Sequence, residues 1–316
     1  MSWLRNRVHI GSLQERTRQT GRPYCALRDT VLTRPDRIPL ASARRLGDPP
    51  RPMRIVTWNI NSLRLRLPLL AELDRQLRPD VICLQETKVP DELFPSEALT
   101  ELGYAHQVRR GMKSYNGVAI LARHPLSPVP DAPDWCERGD CRHAAASIAG
   151  EHGPVEIHNF YVPAGGDIPD IEENPKFAHK LAFVDQVTEW FQTHHRKRTV
   201  IVGDLNIAPL EHDVWSHKQL LKIVSHTPPE TTRLNAWLDT GFVDAMRHFV
   251  PPTEKLYTWW SYRNRDWSAS NRGRRLDHIW VTPDLKDVLH GMQVIREARN
   301  WTSPSDHVPV MLDMGA

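Results

Sequence analysis

The chain has 316 residues, a length that one hydrophobic core or two can serve. Hydrophobic residues make up 40% and charged residues 25%, which fits a globular protein and argues against wholesale disorder, and no apolar run approaches the ~18–20 residues that cross a bilayer. The net charge of +3 hides a split, because residues 1–51 hold eleven arginines against four acids; the remainder is net negative, so a nucleic-acid reading has to rest on a local patch and not on overall charge.

In chain order, residues 1–52 show no sustained helix or strand period and end in the turn-prone Gly47-Asp48-Pro49-Pro50-Arg51-Pro52. Four acids and repeated prolines do not suit a transit peptide, and no apolar stretch marks a secretory signal. This Arg/Pro-rich extension is expected to lie outside the domain, ahead of a natural start at Met53. From there residues 53–316 read as one domain. Strands are expected over Met53–Trp58, Asp80–Glu86, Gly117–Leu121, Val155–Tyr161, Thr199–Asn206, Leu276–Val281 and Val308–Leu312. Leucines 63, 67, 70, 73 and 77 fall at helical spacing, a second helix runs from Lys176 to His194, and Leu234–Leu238 lies in a third. Strands and helices that mix without regular alternation favour a two-sheet α/β sandwich over a Rossmann sheet or a barrel. No GxGxxG follows a strand, so dinucleotide binding has no support. Cys25, Cys83, Cys136 and Cys141 are too few for a disulfide scaffold, which points to a reducing compartment.

Polar residues recur where these strands end. Asn59 and Asn61 follow the first and Glu86 ends the second. Asp204 and Asn206 end the Val200–Val202 run, Asp277 begins a late strand, and Asp306-His307 precedes the last. Any one of them reads most simply as a turn or cap residue. Together they are hard oxygen donors that can meet on one rim, which suits Mg²⁺ or Mn²⁺ and not zinc. A histidine beside such a cluster, oriented by a second carboxylate, suits work on a phosphate.

Thr57-Trp58-Asn59-Ile60-Asn61, Leu84-Gln85-Glu86-Thr87-Lys88, Val202-Gly203-Asp204-Leu205-Asn206, Arg275-Leu276-Asp277-His278 and Ser305-Asp306-His307 resemble, in order, the motifs of the exonuclease III / apurinic-apyrimidinic endonuclease family. Tyr161-Val162-Pro163 is similar to the motif that carries the family's active-site tyrosine. The resemblance implies a four-layer α/β sandwich of the deoxyribonuclease I type, with two packed mixed sheets flanked by helices. It implies a Mg²⁺-dependent (Mn²⁺ as substitute) DNA-repair nuclease that cuts duplex DNA 5′ to abasic sites and trims 3′ ends, acting as a cytoplasmic or nucleoid monomer without a membrane. In that reading Glu86 is the main metal ligand, with Asn59 and Asp306 near it and Asp204, Asn206 and His307 within reach. Asp204 positions or deprotonates the attacking water, Asn206 holds that water or the phosphate, and His307, oriented by Asp277, contacts the scissile phosphate. Tyr161 donates its hydroxyl to a phosphate oxygen or the leaving group.

The stretch from Trp259 to Arg275 interleaves Trp259, Trp260, Tyr262 and Trp267 with Arg263, Arg265, Arg272, Arg274 and Arg275. Basic and aromatic residues on one loop suit phosphate clamping with stacking. Adjacent strand residues face opposite ways, so one of the two tryptophans is expected to be buried. The resemblance makes Trp259 and Leu276 walls of the pocket for a flipped abasic sugar, with Arg274 where some relatives have tryptophan. Lys113 and Asn116 are expected as DNA-backbone contacts, although a plain loop fits them equally. Two other readings are a superfamily phosphatase and a nucleic-acid-binding regulator of the same superfamily that has lost catalysis. The aromatic–arginine loop argues against the first, and the intact set of metal and nucleophile positions against the second.

Overall fold

The computed structural model describes residues 52–129, 133–264 and 266–315; the expectations for the N-terminal extension up to residue 51 and for Arg265 fall outside them. The strands are β1 (Met53–Asn59), β2 (Val81–Gln85), β3 (His106–Arg110), β4 (Val118–Ala122), β5 (Leu126–Pro128), β6 (His143–Ile148), β7 (Val155–Tyr161), β8 (Thr199–Asp204), β9 (Val243–Asp244), β10 (Trp259–Trp260), β11 (Gly273–Arg274), β12 (Asp277–Val281), β13 (Leu289–Val294) and β14 (Val310–Met314). The helices are α1 (Leu63–Leu77), α2 (Ser96–Glu101), α3 (Pro175–Thr193), α4 (His217–Leu220), α5 (Pro228–Leu238), α6 (Ala245–Phe249) and α7 (Trp267–Ser270). Among the described residues, no helix is long and apolar enough to cross a membrane.

Two six-stranded sheets run in the orders β13-β14-β1-β2-β4-β3 and β5-β6-β7-β8-β12-β9. Each is built around one central parallel pair, β1–β2 in the first and β7–β8 in the second. The central strands are apolar on both faces, and their residues alternate between two cores. Ile55, Val81, Cys83, Val200, Val202 and Ile279 meet between the sheets. Val56, Ile82 and Leu84 face outward onto Leu63, Leu70 and Leu73 of α1. Ile201 and Trp280 face outward onto Phe183, Val187 and Phe191 of α3 and Leu234 and Trp237 of α5. The result is the expected four-layer sandwich.

Strands β3, β6 and β13 have no counterpart in the strands read from sequence. Strands β3 and β13 are the half-exposed edges of the first sheet, and β6 reads His-Ala-Ala-Ala-Ser-Ile, so periodicity and β-propensity are both weak there. The last strand starts at Val310 and not Val308: Pro309 has no N–H to give, and the Val308 N–H donates to the Thr258 carbonyl at 2.8 Å. Helix α1 is kinked by Pro68, with Arg66 at φ −112°, ψ 18°. The kink turns Arg66 inward, where its Nε donates to Ser303 O and its Nη2 to Pro304 O, both at 3.0 Å, pinning the loop that carries Asp306 and His307.

A polar clip joins the sheets beneath the site. Gln85 Nε2 donates to Thr57 Oγ1 at 3.0 Å and to Asn159 Oδ1 at 2.7 Å; Asn159 Nδ2 crosses back to the carbonyls of Leu84 and Ala119, both at 2.9 Å. All three side chains are fully buried. Asn159→Ala removes the buried amide that bonds two carbonyls and the Gln85 amide across the sheets and leaves a cavity in its place, so we expect a loss of about 3 kcal/mol. Equilibrium denaturation of the variant checks this, and an unchanged midpoint would show that the clip does not hold the sheets in register.

Candidate active site

The C-terminal ends of both parallel strand pairs come to one junction. Asn59 ends β1, Tyr161 ends β7, Asp204 ends β8 and Glu86 follows β2; Asp277 opens β12 directly opposite Asp204. Five non-glycine residues at these ends take left-handed backbone: Asn61 (φ 48°), Ser62 (φ 85°), Glu86 (φ 51°), Lys88 (φ 51°) and Asn206 (φ 53°). Such a conformation costs roughly 1–2 kcal/mol per residue, and its concentration here shows a backbone bent to aim side chains inward. Gly203, just before Asp204, is at φ +141°, and a Cβ there would stand 1.9 Å from the Phe160 carbonyl oxygen, so only glycine lets β8 lie against β7 at this point.

Asn59 is the hub. Its amide Nδ2 donates to Glu86 Oε1 at 3.0 Å and to Asp204 Oδ2 at 2.8 Å, while its Oδ1 accepts from the Asn61 N–H at 3.1 Å. Tyr161 donates its hydroxyl to Glu86 Oε1 at 2.8 Å, and Lys88 Nζ sits 2.7 Å from Glu86 Oε2. Asn206 donates three hydrogen bonds, from its backbone N–H to Asp204 Oδ1 at 2.9 Å and from its Nδ2 to the Val162 carbonyl at 2.9 Å and to Asp204 Oδ2 at 3.1 Å. Beneath it, buried Lys180 pairs with buried Glu230 at 2.5 Å and donates to the Asn206 carbonyl at 2.8 Å. His307 places Nδ1 2.8 Å from Asp277 Oδ2 and Nε2 3.6 Å from Asp204 Oδ2. Asp306 accepts from Asn61 Nδ2 at 3.2 Å and from Trp259 Nε1 at 2.9 Å.

The charges explain one another. Burial opposes a cationic His307, but Asp277, Asp204 and Asp306 outweigh it and push the imidazole up to about 10. Burial, with Asp277 and Glu86 nearby, pushes Asp204 up to about 7, against the pull of His307 and Asn59. Burial likewise works against the charge on Glu86, but Lys88, Asn59 and Tyr161 hold its carboxyl below the ordinary range. Burial and the neighbouring carboxylates raise Tyr161 well above its ordinary value, so it is a hydrogen-bond donor. Asp204, Asp277 and His307 present donor atoms within 4.8 Å of one another, the geometry of a metal trio. With both ring nitrogens protonated, His307 lies as a cation between the two aspartates, and a protonated nitrogen has no lone pair to offer a metal.

A cavity of about 730 Å³ opens from this junction, with Glu86, Asn206 and His307 at one end and Trp215, Trp259 and Arg274 lining it further on. Residues 56–307 match the endonuclease/exonuclease/phosphatase family. The chain belongs to that family. It is similar to exodeoxyribonuclease III of Haemophilus influenzae, 31% identical over 82% of this chain and 98% of that one. Among solved structures it resembles a Neisseria 3′ phosphatase, NExo, bound to a product DNA hairpin (TM-score 0.76, 33% identity, 83% of this chain and 99% of that one). It also resembles an AP endonuclease from Archaeoglobus fulgidus (TM-score 0.75, 31% identity, 84% and 100%). As a member of the exonuclease III / AP endonuclease group of this metal-dependent family, the chain is a hydrolytic phosphodiesterase.

Within that family frame, the structure brings Asn59, Glu86, Tyr161, Asp204, Asn206, Asp277, Asp306 and His307 to one place. Trp259 and Leu276 both line the cavity, and Trp260 is the buried tryptophan of the pair. Arg263 and Arg274 also line it. Arg275, one of the arginines interleaved in that stretch, does not line the cavity. It is fully buried, with Nε 2.7 Å from Asp213 Oδ1 and Nη1 2.6 Å from Asp244 Oδ2, so it anchors the fold. Lys113 and Asn116 do not line the cavity, and the Asn116 amide donates to the Asp140 carbonyl at 2.8 Å within its own loop. Three supporting residues escaped the sequence reading. Ser305 Oγ donates to the Asn59 carbonyl at 2.7 Å, Thr258 Oγ1 accepts from the N–H groups of Leu276 and Asp277 at 3.1 Å, and Lys88 neutralises Glu86. Only Lys88 left a signal, a lysine two residues past a strand-end glutamate.

His307 in its charged form persists up to about pH 10, so a rate that needs the imidazolium falls as pH rises through that value. Asp277→Asn removes the leading stabiliser of that charge and should move the alkaline limb of the pH–rate profile to lower pH, with lower turnover. Superimposable alkaline limbs for parent and variant would reject the coupling.

Proposed function

We propose that this chain is a Mg²⁺-dependent DNA-repair nuclease, with Mn²⁺ able to substitute, that hydrolyses phosphodiester bonds 5′ to abasic sites in duplex DNA and trims 3′ ends. The observation that carries the reading is one continuous cavity that joins a proton-holding Asp277–His307–Asp204 set to an aromatic and arginine-lined pocket. The names of the relatives, an exodeoxyribonuclease III and an AP endonuclease, support the same substrate and bond.

Glu86 and Asp306, with Asp204 and Asn206 across the site, would hold the divalent ion, which when bound offsets charge on the phosphate oxygens. Asn59 presents amide N–H and not oxygen to the carboxylates, so its part is to hold Glu86 and Asp204 in place. Asp204, with a carboxyl near neutrality, accepts the proton of the attacking water, and the Asn206 amide, fixed from below, orients that water or a phosphate oxygen. His307 as imidazolium faces the charge that grows on the non-bridging oxygens, and a donor preset in a buried site needs no reorganisation as that charge appears. Tyr161, held protonated, has a hydroxyl that can turn from Glu86 to a phosphate oxygen. The arginines at the cavity mouth hold the strand by its phosphates, whatever its sequence.

Glu86→Gln keeps the shape of the side chain and removes its charge. We expect roughly 100-fold or greater loss of Mg²⁺-dependent cleavage of an abasic duplex, a higher Mg²⁺ requirement, and retained DNA binding. Unchanged turnover at low Mg²⁺ would remove Glu86 from the metal site, and absence of cleavage by the parent protein on abasic, nicked and blunt duplexes alike would overturn the functional reading.

A further inference from the structure

The cavity beside the junction is lined by three guanidinium groups, those of Arg263, Arg272 and Arg274. Among the described residues none of the three has a carboxylate at ion-pair distance, whereas Arg275, their neighbour in sequence, has two. Arg274 is the most firmly placed. Its Nη1 donates to Val224 O at 3.0 Å and Ser225 Oγ at 2.6 Å, and its guanidinium carbon lies 5.3 Å from the centroid of the Trp259 ring. Its Nε is buried without a partner. The acid that acts on it, Glu230, is already engaged by Lys180 at 2.5 Å and by the N–H groups of Ser225 and Thr227. A largely buried cation with no counter-ion is unfavourable until a ligand brings the missing charge.

Trp259 fixes where that charge would fall. Its Nε1 donates to Asp306 Oδ2 at 2.9 Å, and the same ring carries the Arg274 guanidinium. One indole therefore separates the phosphate-handling end of the cavity from an unpaired cation. A bare abasic sugar offers that cation hydroxyl and ether oxygens but no charge.

We propose that Arg274 is a specificity-determining residue: it receives a second negative charge, borne by the short group esterified to the scissile phosphate on the side away from the leaving 3′ oxygen. The proposal rests on the nuclease reading above and names its preferred strand ends. The charge can come from a carboxylate, as in a terminal carboxymethyl phosphate, or from a phosphate, as on an abasic sugar that keeps its own 3′ phosphate. In both, the water oxygen bonds to phosphorus, the bond from phosphorus to the 3′ oxygen breaks, and that oxygen takes up a proton to become a 3′ hydroxyl. The released phosphate ester leaves with its second anion intact.

The test uses the full chain and matched duplexes. One pair ends in carboxymethyl phosphate or in 2-hydroxyethyl phosphate, whose tail carries no charge; a second pair ends in an abasic sugar with or without a 3′ phosphate. A charge-assisted pair is expected to favour the anionic member by about 10-fold or more in kcat/KM. Arg274→Gln should bring the ratio to near one, and Arg274→Lys should keep most of it. Because each ratio is taken within one preparation, the fraction of folded protein cancels. A preference in only one pair identifies that anion as the source. A ratio near one in the parent for both pairs, or a ratio that survives Arg274→Gln, overturns the proposal. Should the parent cleave none of the four, the nuclease reading fails, and metal-free binding of the same duplexes decides on Arg274 alone: the same preference supports it, and equal affinities overturn it.

Discussion

Carboxylates from two sheets cannot be brought together in a buried place without positive charge or N–H groups between them. Here Glu86 belongs to the first sheet and Asp204 and Asp277 to the second, and the groups between them are few. The Asn59 amide bridges Glu86 and Asp204, His307 lies between Asp204 and Asp277, and Lys88 covers the open side of Glu86. In a low dielectric each unsatisfied carboxylate would cost several kcal/mol. The site and the packing of the sheets are therefore one problem: the strand ends can converge only if these donors are in place, and the donors are in place only if the sheets hold their register. The Thr57–Gln85–Asn159 clip lies just beneath and fixes that register with neutral groups, leaving the charged ones above it free for chemistry.

That division explains what the sequence makes legible and what it does not. The central strands are apolar on both faces, so they stand out as short hydrophobic runs, and the polar residues at their ends stand out against them. Glu86, Asp204, Asp277 and His307 were readable in this way, and the order of their motifs named the family. The clip was not: Asn159 sits inside β7 and Gln85 closes β2, and a polar residue at either place reads as an exposed or turn position until the opposite sheet is known. Edge strands β3 and β13 were invisible because a half-exposed strand carries neither a continuous apolar run nor a clean alternation. The Ser305 hydroxyl, a donor, and the Thr258 hydroxyl, an acceptor, act on backbone groups brought close only by the fold, and no spacing rule signals that.

The four residues Arg274 to Asp277 show how a local rule becomes a functional one. In extended backbone successive side chains point to opposite sides. Arg274 and Leu276 therefore face the cavity, while Arg275 and Asp277 face the interior, and the buried pair have buried partners: Asp213 and Asp244 for the arginine, His307 for the aspartate. Two adjacent arginines of identical chemistry are thus divided, one neutralised inside the fold and one that, among the described residues, has no counter-ion and lines the cavity. The buried arginine anchors the strand from which Asp277 orients His307, and Thr258 caps the two N–H groups that follow it. A shift of one residue in this segment would, in one direction, put Arg274 in the place of Arg275 against Asp213 and, in the other, put Asp277 in the place of Leu276 in the cavity. The register that fixes the proton-holding histidine is the same register that makes the pocket cationic, so neither property can be altered by sliding the strand without losing the other.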